Sequence, residues 1–138
     1  MIDQYDDRGP IAIGEAMRLH DTVVSRDHSR CARCNIGVGN VPASVHHRKP
    51  RGMGGTKDPR SNDPRNLVLL CGTGTTGCHG AVESHRALAY DTGWLLRSYD
   101  DLDAPMTSRD GRRIILTSDG DRWDEIDAAS LLAAAAMV

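Results

Sequence analysis

Cys31 and Cys34 stand in the stretch CARC, and after a gap of 36 residues Cys71 and Cys78 bracket CGTGTTGC. In a reducing compartment, two such pairs read as zinc ligands and not as disulfides. A CxxC knuckle turns two thiolates onto one point, and a second pair brought beside it completes the tetrahedron that structural zinc prefers. The six residues between Cys71 and Cys78 exceed the usual spacing of about two to four. Gly72, Gly74 and Gly77 are the residues that would let the backbone loop back. A redox dithiol is the poorer reading, because no succession of strand, CxxC and helix surrounds CARC.

A second chemical stretch is VHHRKPRGMGG, residues 45–55. Neighbouring side chains on a strand point to opposite faces, so His46 and His47 predict two different jobs. Cations cluster around them: residues 26–65 hold nine Lys and Arg against three Asp, whereas residues 99–127 hold four Arg against nine acids. Arg48, Lys49, Arg51, Arg60 and Arg65 are therefore candidates for phosphate contact, which positions a duplex without reading its sequence. A solvated charged loop is the alternative. Gly52, Gly54 and Gly55 would allow close approach of backbone to DNA, or serve only as flexible spacing.

The elements that must position these residues follow from periodicity. Ile13 to about Arg26 reads as a helix carrying Met17, Val23 and Val24. VPASVHH and NLVLLC read as two strands flanking a long loop dense in Gly, Pro, Asn and Asp. HGAVESHRALAYDTG predicts one helix beginning near His79 and ending at Gly93. Bulky core material is scarce, with no Phe and only two Trp, so a metal staple would make up for a small core. No apolar run approaches the roughly 18 residues of a membrane span, and the acidic start MIDQYDD lacks the pattern of a signal peptide. A soluble, cytoplasmic chain is expected.

Taken together, RCARC, VHHRKPRGMGG, DPRNLVLLC, GCHGAVESHRA and GWLL resemble the HNH endonuclease family, over about residues 26–98. The likeness is to the small HNH proteins of bacteriophages and prophages. It implies an α+β fold with a ββα-metal core stapled by zinc on four cysteines. The domain plan expected is an N-terminal segment and helix over 1–25, the nuclease domain over 26–98 and an acidic extension over 99–138.

The resemblance also implies roles. His47 matches the general base that deprotonates the attacking water, and His46 matches a metal ligand. Asn66 matches the central Asn that fixes the loop and the base, and His79 matches a second metal ligand. Taken alone, Asn66 reads as a turn residue, and His79 as a helix-start residue or a zinc ligand in place of Cys78. Relatives place a third ligand His one turn after the second; here that position is Glu83. Four residues advance a helix by about 400°, so Glu83 shares the face of His79 and is either a ligand or a solvated glutamate of the first turn. A carboxylate there hardens the site towards Mg2+ or Mn2+, with Ni2+ or Zn2+ as alternatives.

The activity implied is divalent-metal-dependent hydrolysis of double-stranded DNA in the bacterial host cytoplasm, in phage genome processing or packaging. A non-catalytic zinc module that binds nucleic acid is the competing class. His20, His28 and His85 match no motif position. Beyond Leu96, APMTSRDGRRIILTSDGDRW reads as a β-hairpin and AASLLAAAAMV as a short helix or tail. This extension would cover the core, pack on a second copy or dock on a phage protein such as the terminase.

Overall fold

The computed structural model describes residues 13–50 and 59–126, the pairs 5–6 and 9–10, and residue 136. Arg51, Gly52, Gly54 and Gly55, and the tail AASLLAAAAMV except for residue 136, lie outside the described residues. The chain is a small mixed α+β domain in which four cysteines are drawn together. Strands β1 (Tyr5–Asp6) and β2 (Gly9–Pro10) form a short antiparallel pair, and α1 spans Ile13–Arg26, the residues its periodicity predicts.

Strands β3 (Ala43–His47) and β4 (Leu67–Cys71) then pair antiparallel, with His46 opposite Val68 and His47 opposite Leu67. Between them the chain makes two 3-10 turns, Pro59–Asn62 and Pro64–Asn66. Asp63 caps the second turn, and Pro64 occupies its first position, where a missing N–H costs nothing.

Strand β4 explains its own unbroken apolar run. Val68 and Leu70 enter one buried cluster with Cys31, Cys78, Val82, Trp94, Met106, Ile114 and Leu116. Leu67 and Leu69 enter a second with Val23 of α1, joined by Val45. A strand covered on both faces needs no polar alternation, and each fully buried Leu contributes roughly 1.5–3 kcal/mol.

The predicted single helix after Cys78 is two. Helix α2 covers Gly77–Ser84 and α3 covers Arg86–Asp91, with His85 between them at φ −114° and ψ 61°. The His85 ring stays within 3.3 Å of the Ala81 carbonyl, and no proline or glycine marks the break. After it, β5 (Met106–Thr107), β6 (Arg112–Leu116) and β7 (Arg122–Ile126) form a three-stranded antiparallel sheet in that order. This sheet covers the core, because Met106, Ile114 and Leu116 are buried in the same cluster as Cys31 and Trp94. No helix among the described residues is long and apolar enough to cross a membrane.

Candidate metal centres

The first centre is the cysteine cluster. One sulfur from each of Cys31, Cys34, Cys71 and Cys78 lies within 4.8 Å of every other. The knuckle closes through Cys31 N–H to the Ile36 carbonyl and Asn35 N–H to the Cys31 carbonyl, both 2.8 Å, and it docks on β4 through Ala32 N–H to Leu69 O at 2.9 Å. The wide Cys71–Cys78 spacing is closed by two of its three glycines. Gly72 and Gly77 have φ of 89° and 62°, and a Cβ on Gly72 would sit 2.0 Å from the Thr76 carbonyl oxygen. Gly74 has open space where a Cβ would go, so it is not required there.

The hydrogen bond between Cys31 and Cys78 lowers Cys31 to about 4 and pushes Cys78 up, while burial pushes Cys34 up. Four soft donors at tight spacing fit a dication such as zinc, which favours the thiolate form. Arg33 Nη1 donates to Cys78 Sγ at 3.2 Å and offsets part of the negative charge.

The second centre joins β3 to α2. Donor atoms of His46, His79 and Glu83 also lie within 4.8 Å of one another, and Glu83 Oε1 is 3.9 Å from both His46 Nδ1 and His79 Nε2. His46 is buried, and its Nε2 lies 2.7 Å from the Trp94 carbonyl. A carbonyl only accepts, so Nε2 carries the proton and Nδ1 turns a lone pair towards Glu83. Ser44, two residues before His46 and so on the same face, donates its hydroxyl proton to Gly72 O at 3.1 Å and lies 2.6 Å from His79 Nδ1. With that proton committed, the hydroxyl accepts from Nδ1–H and leaves His79 Nε2 as the free lone pair. Burial pushes His46 down to about 3 and lowers His79, against the nearby Glu83 carboxylate, so both rings are neutral at pH 7. Two neutral imidazoles and one carboxylate oxygen are a donor set suited to a divalent cation. His79 therefore stands with Glu83 and not among the cysteines.

Asn66 is fully buried and closes the loop between the strands. Its Oδ1 accepts from Lys49 N–H at 2.7 Å, its Nδ2 donates to Ser61 O at 3.1 Å, and its own carbonyl accepts from Arg48 N–H at 2.8 Å. These bonds fix the backbone just after His47. His47 itself is half-buried at the end of β3, and strand alternation places it on the opposite face from His46.

Two of the phosphate candidates are corrected. Arg48 is fully buried, with Nε on Gly93 O (3.0 Å), Nη1 on Arg65 O (3.1 Å) and Leu102 O (2.8 Å), and Nη2 on Ala104 O (2.7 Å). Lys49 is buried too, its Nζ donating to Arg97 O at 2.8 Å, Ser98 O at 2.9 Å and Asp100 O. Both cations satisfy carbonyls of the turn over residues 93–104, which folds across them. Arg65 is engaged by Asp63 at 3.0 Å, and Arg60 donates to Ser98 O at 3.0 Å. His20 and His85 lie in neither cluster, and neither does His28, which has a positive φ of 58° in the turn after α1.

The sequence reading passed over Ser44, Arg33 and Arg86. Ser44 was available from the period of β3, and Arg86 from its position three residues after Glu83, at 2.9 Å from Oε2. Comparison with protein-family models, curated proteins and solved structures finds no match.

Proposed function

We propose that the chain is an HNH endonuclease that hydrolyses phosphodiester bonds of double-stranded DNA, with β3, β4 and α2 as a ββα-metal unit and the four cysteines holding a structural zinc. The observation that carries this reading is the convergence of His46, His79 and Glu83 donor atoms within 4.8 Å, one residue from a histidine whose loop is pinned by a buried Asn. His46 Nδ1, His79 Nε2 and Glu83 Oε1 would hold a divalent cation, Mg2+ or Mn2+ before Ni2+ or Zn2+. When bound, it would supply Lewis-acid stabilisation of charge on the scissile phosphate and the leaving oxygen.

The remaining work belongs to the chain. His47 takes the proton of the attacking water while the water oxygen bonds to phosphorus and the bond to the 3′-oxygen breaks. Asn66 holds the backbone of Arg48 and Lys49, and through it the position of His47 at the strand end. Trp94 O and Ser44 hold the two ligand rings in the tautomers that face Glu83. Processing or packaging of a phage genome, with a terminase as partner, is the biological setting that suits such an activity.

The test is incubation of the purified, zinc-loaded chain with supercoiled plasmid across Mg2+, Mn2+, Ni2+ and chelator. Cation-dependent nicked or linear product is expected, and His47→Ala should abolish it without altering zinc content or thermal midpoint. No product with any cation would leave a zinc-stabilised nucleic-acid-binding module, and an active His47→Ala would remove that residue from the mechanism.

A further inference from the structure

Besides Arg48 and Lys49, which are bound to carbonyls, two described arginines meet at Tyr90, one of them paired with Glu83 of the second centre. Arg86 opens α3 and donates from Nη1 to Glu83 Oε2 at 2.9 Å, while the other oxygen of that carboxylate faces His46 and His79. Its Nη2 lies 3.4 Å from the Tyr90 hydroxyl, and its guanidinium carbon is 5.8 Å from the centre of the Tyr90 ring. Arg97 approaches the same ring more closely, at 4.3 Å. The Arg86 side chain is 44% exposed and Arg97 is exposed. Arg97 makes no side-chain ion pair among the described residues; Asp100 instead accepts from its backbone N–H at 2.7 Å.

One tyrosine thus gathers two like charges. The attraction of a ring for a cation is about 0.5–1 kcal/mol at an exposed site, which helps hold both guanidinium groups in place; Arg97 stays exposed, and Arg86 keeps 44% of its side chain exposed while its terminal nitrogens reach Glu83 and the Tyr90 hydroxyl. Arginine forks match phosphate oxygens in pairs. Arg60, bonded to the Ser98 carbonyl next to Arg97, sets a third cation beside them.

We propose that Arg86 and Arg97, gathered on the ring of Tyr90 at the edge of the His46–His79–Glu83 cluster, form a grip for backbone phosphates of duplex DNA. The choice of duplex DNA rests on the proposed function. The grip positions the strand at the cation cluster and reads no base.

The experiment titrates a short fluorescein-labelled duplex with the full, zinc-loaded chain by anisotropy, from about 50 to 200 mM KCl, with no added divalent cation so that cleavage does not intrude. Arg86→Gln and Arg97→Gln should each flatten the plot of log affinity against log salt by about one unit. Arg86→Lys and Arg97→Lys should restore the slope, and Arg65→Gln should leave it unchanged, with thermal midpoints equal throughout. Wild-type slopes in both Gln variants, an equal loss in Arg65→Gln, or no binding by the wild type would each overturn the grip. Plasmid cleavage with unchanged slopes would overturn the grip alone. Flattened slopes without cleavage in any cation would overturn the nuclease reading and leave the grip standing.

Discussion

Glu83 divides its two oxygens between two tasks. Oε1 faces both histidines at 3.9 Å and Oε2 accepts from Arg86 at 2.9 Å, so the carboxylate offers one oxygen, held in place, to the centre. A harder donor set with a negative charge favours Mg2+ or Mn2+ over Ni2+ or Zn2+. Glu83→Gln should therefore weaken Mn2+ binding by roughly ten-fold, about 1.4 kcal/mol, and Glu83→His should shift preference towards Ni2+. Calorimetric titration and cleavage rate against cation identity read this out; three superimposable profiles would make Glu83 a surface residue. Arg48 calls for the opposite kind of test. Its guanidinium meets four carbonyl oxygens in a buried site, so Arg48→Met orphans acceptors that cost about 1–3 kcal/mol each when unmatched. A loss of at least about 2 kcal/mol in urea unfolding is expected, with DNA affinity per folded molecule unchanged. A stable variant with weakened DNA binding would restore Arg48 to the phosphate surface.

Elements here are joined by buried charge as much as by apolar contact. Asp27, just past the end of α1, is buried; it accepts from Arg26 of α1, from Arg122 of β7 at 3.0 Å and from the Leu69 N–H of β4 at 2.9 Å. Removing that carboxylate leaves the Leu69 N–H unmatched and takes the shared partner from Arg26, which keeps Pro64 O and Leu67 O, and from Arg122, which keeps Asp124; breaking a buried pair from one side costs about 3–5 kcal/mol. Asp27→Ala should lose that much in chemical denaturation; a loss under about 1 kcal/mol would show that water replaces the carboxylate freely. Helix α1 was legible from its period, and the two central strands from a short β-prone run and an unbroken apolar run, each read one or two residues longer at its start than it is. The convergence of the cysteines was legible because two pairs at such spacings can each turn their sulfurs onto one point. The burial of Arg48 and Lys49 was not, since a basic pair beside proline and glycines reads as solvent-facing until the turn over residues 93–104, some 45 residues later, closes on it. Asp27 was hidden for the same reason: two of its three partners lie 42 and 95 residues away.

Across the whole molecule the two centres share one scaffold. Cys71 precedes Gly72, whose carbonyl accepts from the Ser44 hydroxyl, and Cys78 precedes His79, so both supports of the second centre hang from cysteines of the first. The same cluster that buries Cys31 and Cys78 contains Met106, Ile114 and Leu116 from the acidic C-terminal strands. A zinc ion on four thiolates contributes apparent binding energy of about 10–16 kcal/mol, as large as the whole net stability of an ordinary domain, about 5–15 kcal/mol. Its loss should therefore unfold the chain and not merely loosen a knuckle. Cys71→Ser, or chelation of zinc from the wild type, should abolish the cooperative thermal transition, the near-ultraviolet signature of buried Trp94 and the binding of Mn2+ together. Zinc stoichiometry by elemental analysis fixes the starting point. A zinc-free chain that melts cooperatively at the wild-type midpoint would mean that the apolar core alone holds the fold. A zinc-free chain that stays folded and loses only Mn2+ binding would mean that the cysteines position His79 without stabilising the rest.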